Sequence, residues 1–271
     1  MNCRRFFSIP VLSVILVMGF VYYVTLFVFI EEWVGLQSSA GTLNAIIFSF
    51  FASLFLFSFS VCVLTDPGRV PAPYSPDVED SRRTHHNGTE TRHCDKCSAY
   101  KPPRTHHCRV CRRCVLKMDH HCVWVNNCVG YANYKSFFNL VFYATVACIY
   151  SMVVLVCCGF KKGDSYMENF PLKIFIISCG ALMFGLCIAL GTLLGWHIFL
   201  ISRNMTTIEH YESKRSAWLA RKSGQSFRHQ FDLGIYKNLA SVLGPNMIKW
   251  LCPSSTGHLK DGISFPTTRE N

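Results

Sequence analysis

The sequence predicts an all-α integral membrane protein with four transmembrane helices and a cysteine-rich module between the second and the third. Three observations predict it. Half of the 271 residues are hydrophobic, too many charge-free stretches among them for an ordinary soluble domain. The runs 9–30, 43–64, 137–160 and 174–201 contain no Asp, Glu, Lys or Arg, and each reaches the roughly 20 residues that cross a bilayer as a helix. Between the second and third runs, seven of the fifteen cysteines crowd into residues 94–128.

Taken in order, residues 1–8 form a short basic N-terminus with Arg4 and Arg5. The run 9–30 is too long for a signal-peptide core and no small-x-small cleavage site follows, so it is expected to stay as an anchor. The loop after it carries Glu31 and Glu32 and no base. The run 43–64 is the second span, and Thr65-Asp66-Pro67-Gly68 stops its helix. Residues 65–90 form a linker whose stretch 71–90, rich in Pro, Ser and charge, is expected to be flexible. The module occupies 91–136 and ends close enough to the third span, 137–160, that it must lie against the membrane face. A loop mixing Lys161, Lys162, Asp164 and Glu168 leads to the fourth span, 174–201. There Ala181, Gly185 and Ala189, with Gly191 and Gly195, have the spacing that lets helices approach closely, and bundle packing is the expectation. His197 is expected to be an interfacial or hydrogen-bonded histidine. The tail, 202–271, is polar, with a helix-like stretch near 208–222 and spaced apolar residues over 231–243.

Four spans put both termini on one side. Arg and Lys crowd the N-terminus, the 65–136 segment and the tail, which the positive-inside rule assigns to the cytosol. The net charge of +11 is therefore a topology signal and not a nucleic-acid footprint, with a secondary role toward anionic lipid or a phosphorylated ligand left open. In a reducing cytosol the cysteines point to metal ligation, and the sequons at Asn87 and Asn204 are not expected to be glycosylated.

Within the module the pattern Cys-x2-Cys-x9-His-x6-Cys occurs twice, offset by fourteen residues. One copy is Cys94, Cys97, His107 and Cys114; the other is Cys108, Cys111, His121 and Cys128. Each supplies three thiols and an imidazole, the donor set of a closed tetrahedral zinc site. Two structural Zn2+ would stand in for the hydrophobic core that so short a segment cannot build. His85, His86, His93 and His106 break the register and are expected to be solvated or to support the ligands.

Cys122 is left over, because Val125 stands where its knuckle partner would be. It lies in Asp119-His120-His121-Cys122. Overlaying the copies sets His106-His107-Cys108 on His120-His121-Cys122 and changes Thr105 to Asp119, so the second copy gains a carboxylate beside a histidine that no zinc needs. An imidazole can take a thiol proton and a carboxylate can orient that imidazole, which makes Cys122 a candidate nucleophile with His120 and Asp119. The competing readings are a spare thiol in a membrane-anchored zinc module that binds a partner without chemistry, and a RING-like ubiquitin ligase. RING sites interlock two zincs too, but with longer, irregular spacings and no need of Asp-His-x-Cys.

These residues resemble the DHHC-type protein S-acyltransferases (palmitoyltransferases), plant members above all. Asp119-His120-His121-Cys122 is similar to the family's signature, Asp66-Pro67-Gly68 to its DPG motif and Thr206-Thr207-Ile208-Glu209 to its TTxE motif. Phe231-Asp232-Leu233-Gly234 running to Asn238 resembles its C-terminal aromatic and asparagine element. The resemblance implies four spans with a cytosolic, zinc-stabilised domain between helices 2 and 3. It implies that Cys122 takes a long-chain acyl group from acyl-CoA, palmitoyl-CoA as donor, as an acyl-enzyme thioester and passes it to a cysteine of a membrane-associated protein. His120 would be the general base, Asp119 its orienting partner and His121 a zinc ligand. The acyl chain would lie among the spans, where each buried methylene is worth about 0.8 kcal/mol. Arg112, Arg113 and Lys135 are basic residues that could meet CoA phosphates, none singled out. One departure is visible: Val123 follows the signature cysteine where the family usually has proline, with Trp124 as expected. The implied partners are the lipid bilayer and membrane-associated proteins with cytosolic cysteines, with no nucleic acid and no motif that specifies an oligomeric state. The implied location is Golgi or another endomembrane, alternatively plasma membrane or vesicles. Cys3, Cys62 and Cys252 lie near membrane boundaries and are expected to remain unmodified thiols.

Overall fold

The computed structural model describes residues 6–72, 74–75, 92–168 and 170–268. Most of the expected flexible linker, with His85, His86 and Asn87, and Cys3 in the N-terminus, lie outside the described residues. Among the described residues four helices are long and apolar enough to cross a membrane, which fits a multi-pass membrane protein: α1 (Ile9–Val34), α2 (Ser39–Leu64), α3 (Tyr134–Glu168) and α4 (Phe170–Ser202). α3 is the central helix and packs against both α2 and α4.

Helix ends extend past the uncharged runs for identifiable reasons. α2 starts at Ser39 because the Ser38 hydroxyl accepts from Gly41 N at 2.9 Å and caps the first turn. α3 starts at Tyr134 although Lys135 follows, because Asn133 links Gly130 N to its Oδ1 and its own Nδ2 to Cys128 O, both at 2.9 Å, fixing the entry turn. α1 widens to π-winding over Thr25–Ile30. There the Thr25 hydroxyl bonds Val21 O and the Ser151 hydroxyl of α3, each at 2.6 Å, an inserted side chain of the sort that opens an α-helical ladder.

Three of the glycines of α4 do not serve close packing within the chain. A Cβ added at Gly185, Gly191 or Gly195 would meet nothing within 4 Å, so the helix approach expected from their spacing is absent at these positions. His197 is hydrogen-bonded as expected, its Nδ1 2.9 Å from the Tyr134 hydroxyl in a buried setting.

Strands occur, among the described residues, only in the cysteine-rich module, as three two-stranded hairpins: β1 (His93–Cys94) with β2 (Ala99–Tyr100), β3 (His106–Cys108) with β4 (Arg113–Val115), and β5 (His120–Cys122) with β6 (Asn127–Val129). Beyond α4 come α5 (Thr207–Lys222) and α6 (Ile235–Leu243), the latter packed on α4 and α3.

Candidate active site in the cysteine-rich module

The three hairpins are one unit repeated at a fourteen-residue period. Their registers are Cys94↔Ala99, Cys108↔Arg113 and Cys122↔Asn127, with His93↔Tyr100, His107↔Cys114 and His121↔Cys128 one step on. Ser98, Arg112 and Asn126 occupy the same left-handed turn position, with φ of 48°, 53° and 46°. Each metal group takes its Cys-x2-Cys from one hairpin and its His/Cys pair from the next. The first hairpin therefore leaves His93 and Tyr100 unused. The third leaves its knuckle unused, and that knuckle is Cys122 with Val125. The sequence alone suggested two copies because the outer halves of this triple repeat lack ligands.

The structure brings the eight expected ligands together in two groups, Cys94, Cys97, His107, Cys114 and Cys108, Cys111, His121, Cys128, with donor atoms in each group within 4.8 Å of one another. Nδ1 is the donor of both histidines. It lies 3.5, 3.2 and 3.9 Å from the sulfurs of Cys94, Cys97 and Cys114, and 3.6, 3.5 and 3.6 Å from those of Cys108, Cys111 and Cys128. A tetrahedral zinc with bonds near 2.0–2.3 Å leaves ligand edges of about 3.5–3.8 Å, so both donor sets fit Zn2+.

Cys122 is buried in an apolar cluster that includes Val11 of α1, Phe59 of α2, Phe137 and Phe138 of α3 and Ile201 of α4. The hairpin thus carries a thiol out of the metal module and into the membrane bundle. Asn127, opposite Cys122, ties this hairpin to the end of α2 by donating to Cys62 O at 3.0 Å and Thr65 O at 2.8 Å. Val123 and Trp124 begin the exposed turn that follows.

Asp119 is fully buried, and its Oδ2 lies 2.7 Å from His120 Nδ1. Thr207 completes the carboxylate, its backbone N donating to Oδ1 at 2.8 Å and its hydroxyl to Oδ2 at 2.9 Å. Burial alone would raise the Asp119 pKa, but the hydrogen bond and charge of His120 and the Thr207 amide hold it below the usual carboxylate range. Burial alone would lower His120, but hydrogen bonds to Asp119 and to the Cys122 sulfur raise it to about 9. The His120 ring meets Phe137 edge-on at 5.2 Å, and Phe137 meets His197 in the same way at 5.1 Å.

The flanking motifs are clamps. Asp66 accepts Gly68 N at 3.0 Å and both terminal nitrogens of Arg113, at 2.8 and 2.9 Å. Gly68, at φ +119°, sets the chain against Leu116, whose amide donates to Gly68 O. Thr206 and Glu209 form a reciprocal capping box at the start of α5. Glu209 also makes a buried bidentate pair with Arg104, at 2.6 and 2.7 Å, and the guanidinium lies 4.3 Å from the centre of the Phe231 ring. Asn238 donates to Ser202 O at 2.8 Å and Asp232 Oδ1 at 2.7 Å, and accepts from Leu233 N.

The family model described as DHHC palmitoyltransferase matches residues 87–214. "Probable protein S-acyltransferase 15" of Arabidopsis thaliana is 75% identical over 254 residues, 94% of this chain and 100% of the relative. "Probable protein S-acyltransferase 16" of the same plant is 50% identical over 96% of this chain and 93% of its own length. The palmitoyltransferase ZDHHC15 of Rattus norvegicus is 31% identical over 99% of this chain and 85% of its own. The chain belongs to the DHHC palmitoyltransferase family. It is a protein acyltransferase, as the family description and these names have it.

Within this DHHC protein two of the three basic residues considered for CoA phosphates are already engaged. Arg113 pairs with Asp66, and Lys135 is buried with its ammonium on three backbone carbonyls. Arg112 is exposed. Reading the sequence missed Thr207 and Arg104 as parts of the site. The Thr206–Glu209 motif was the available signal for the first, and Arg104 carried none. His106 is half-buried, with its Nε2 buried, and burial followed by the charge of Arg92 lowers its pKa to about 4.

Proposed function

We propose that Cys122 carries the acyl group as a thioester between acyl-CoA and a cysteine of a membrane-associated protein. The observation that carries this reading is the chain of contacts Thr207–Asp119–His120–Cys122, ending on a thiol buried among apolar side chains of all four spans. His120, held on its Nδ1 side by Asp119, keeps its other nitrogen for the sulfur. Cys122 gives its proton to His120 before the attack, and the thiolate held beside the imidazolium attacks the thioester carbonyl. The bond from that carbonyl to the CoA sulfur breaks, and the imidazolium protonates the departing CoA thiolate. In the second half the neutral His120 left after CoA departs takes the proton of the protein substrate's thiol, the substrate sulfur takes the acyl group, and Cys122 leaves as the thiolate beside the imidazolium. Asp119 and Thr207 position His120 and touch no reacting atom.

Cys94, Cys97, His107, Cys114 and Cys108, Cys111, His121, Cys128 would hold two structural zinc ions. Bound there, zinc supplies cross-links between successive hairpins and no chemistry on the substrate. The uncharged faces of the spans beside Cys122 suit a long acyl chain, palmitoyl for example. The basic bias of the 65–136 segment and the tail supports a cytosolic active site, in Golgi or another endomembrane, with plasma membrane or vesicles as the alternative.

The test is direct. Purified protein given palmitoyl-CoA is expected to acquire a hydroxylamine-labile acyl label. Cys122→Ser is expected to lose that label while keeping two zinc ions per chain, matching the two donor groups. A label that survives Cys122→Ser overturns the mechanism.

A further inference from the structure

Lys135 puts a buried charge in the first turn of α3, and its partners come from the tail. Its ammonium donates to the carbonyls of Leu243 at 2.7 Å, Lys249 at 2.8 Å and Ser255 at 2.9 Å. The Ser136 hydroxyl donates to Pro253 O at 2.9 Å, and the Tyr143 hydroxyl to Leu251 O at 2.5 Å. Lys135 and Tyr143, two turns apart, share a helix face. Residues 244–255 therefore run along α3 as a strap. Tyr143 lies six residues inside the uncharged run that begins at Phe137, about 9 Å along the axis. That is the depth of the boundary between headgroups and acyl chains, where interfacial segments bury roughly 5–10 Å.

The strap is built for that depth. Irregular backbone beside hydrocarbon must satisfy its own polar groups, because water is scarce there. Besides the carbonyls held by α3, Gly244 O accepts from Trp250 Nε1 at 2.7 Å, and the amides of Lys249, Trp250, Cys252 and Ser255 donate to strap carbonyls in successive turns. On its inner side Trp250 packs against the apolar cluster that contains Cys122. On its outer side Met247, Ile248 and Leu251 are exposed, Ile248 to 92%. Lys249 beside them has a stem long enough to return its charge to the headgroups.

We propose that residues 244–255 are a membrane-interface insertion that lays Met247, Ile248 and Leu251 among phospholipid acyl chains, in the leaflet next to the cysteine-rich module. The bilayer then presses the strap onto α3 and keeps Trp250 against the Cys122 cluster.

The full chain carrying Ile248→p-benzoylphenylalanine, reconstituted in phosphatidylcholine vesicles and irradiated, reports what touches that position. An exposed side chain tolerates the replacement, and retained acyl labelling of Cys122 shows the fold intact. A one-phospholipid mass shift on the peptide containing residue 248 is expected, with none for Leu219→p-benzoylphenylalanine on α5. No lipid adduct at 248, an adduct to a second polypeptide there, or equal lipid labelling at 219 overturns the proposal.

Discussion

Asp119 is fully buried and accepts three hydrogen bonds, and two of them come from a residue 88 positions away in sequence. Thr207→Val keeps the shape and the backbone bond to Oδ1 but removes the hydroxyl bond to Oδ2. A hydrogen bond to a charged group is worth about 1.5–3 kcal/mol, and a loss at the low end corresponds to about a tenfold slower acyl-enzyme formation. Single-turnover labelling of Cys122 would measure it, and an unchanged rate would remove Thr207 from the site. The pH dependence follows from the sign of the His120 shift. Raised from 6.5 to about 9, His120 stays protonated through neutrality and loses its proton as pH climbs past 9. Labelling that needs the imidazolium to protonate CoA should therefore fall on the alkaline side near that value. In Asp119→Asn, which removes the partner charge, that limb is expected to move down toward 6.5, read from the same labelling rate across pH.

At the scale of elements, the triple hairpin explains why the metal-binding module contains a thiol outside both donor groups. The third hairpin repeats the fold of the first two, yet Val125 stands at the second knuckle position and, among the described residues, no fourth hairpin follows to supply a His/Cys pair. Cys122 keeps the geometry of a ligand and lacks the metal. Much of this was legible from spacing, because metal ligands on short hairpins must recur at intervals fixed by the turn. The third repeat was not, since repeats are found by their conserved ligands and its knuckle has lost one. The spans were legible from the absence of charge. Their ends were not: Lys135 looks like a boundary residue until tail carbonyls over a hundred positions away are seen to hold its ammonium. The middle hairpin serves both metal groups, so His107→Ala is expected to release one zinc ion and also to loosen Cys108 and Cys111 of the other group. Zinc analysis by mass spectrometry should show loss of at least one ion per chain, with acyl labelling of Cys122 lost as well. Labelling at the full rate in a variant holding a single zinc would mean that the module does not act as one mount.

For the whole molecule, the question is what holds a small metal module in register with a membrane bundle. Asp66 with Arg113 ties it to the end of α2, Asn127 to the same end, and Arg104 with Glu209 to the start of α5, just beyond α4. The last is the more buried of the two ion pairs, and Glu209 does double duty by capping the helix whose first residue holds Asp119. Burial alone would raise the Glu209 pKa, but Arg104 brings it down to about 2 from 4.5. A depressed carboxylate stabilises the fold fully above its unfolded value and loses that contribution as pH falls through the folded one, so this clamp is intact at any physiological pH. Breaking it from one side leaves an unpaired buried charge, which costs about 3–5 kcal/mol, whereas replacing both partners by apolar residues is often near neutral. Glu209→Gln is therefore expected to lower the thermal unfolding midpoint of the detergent-solubilised protein well below that of the parent. Arg104→Met with Glu209→Leu should recover much of the midpoint, yet not the acylation rate, because the capping box that aims Thr207 at Asp119 stays broken. Recovery of both would mean that the clamp contributes stability alone and that the reach of Thr207 does not depend on the helix start; recovery of neither would place its role in folding.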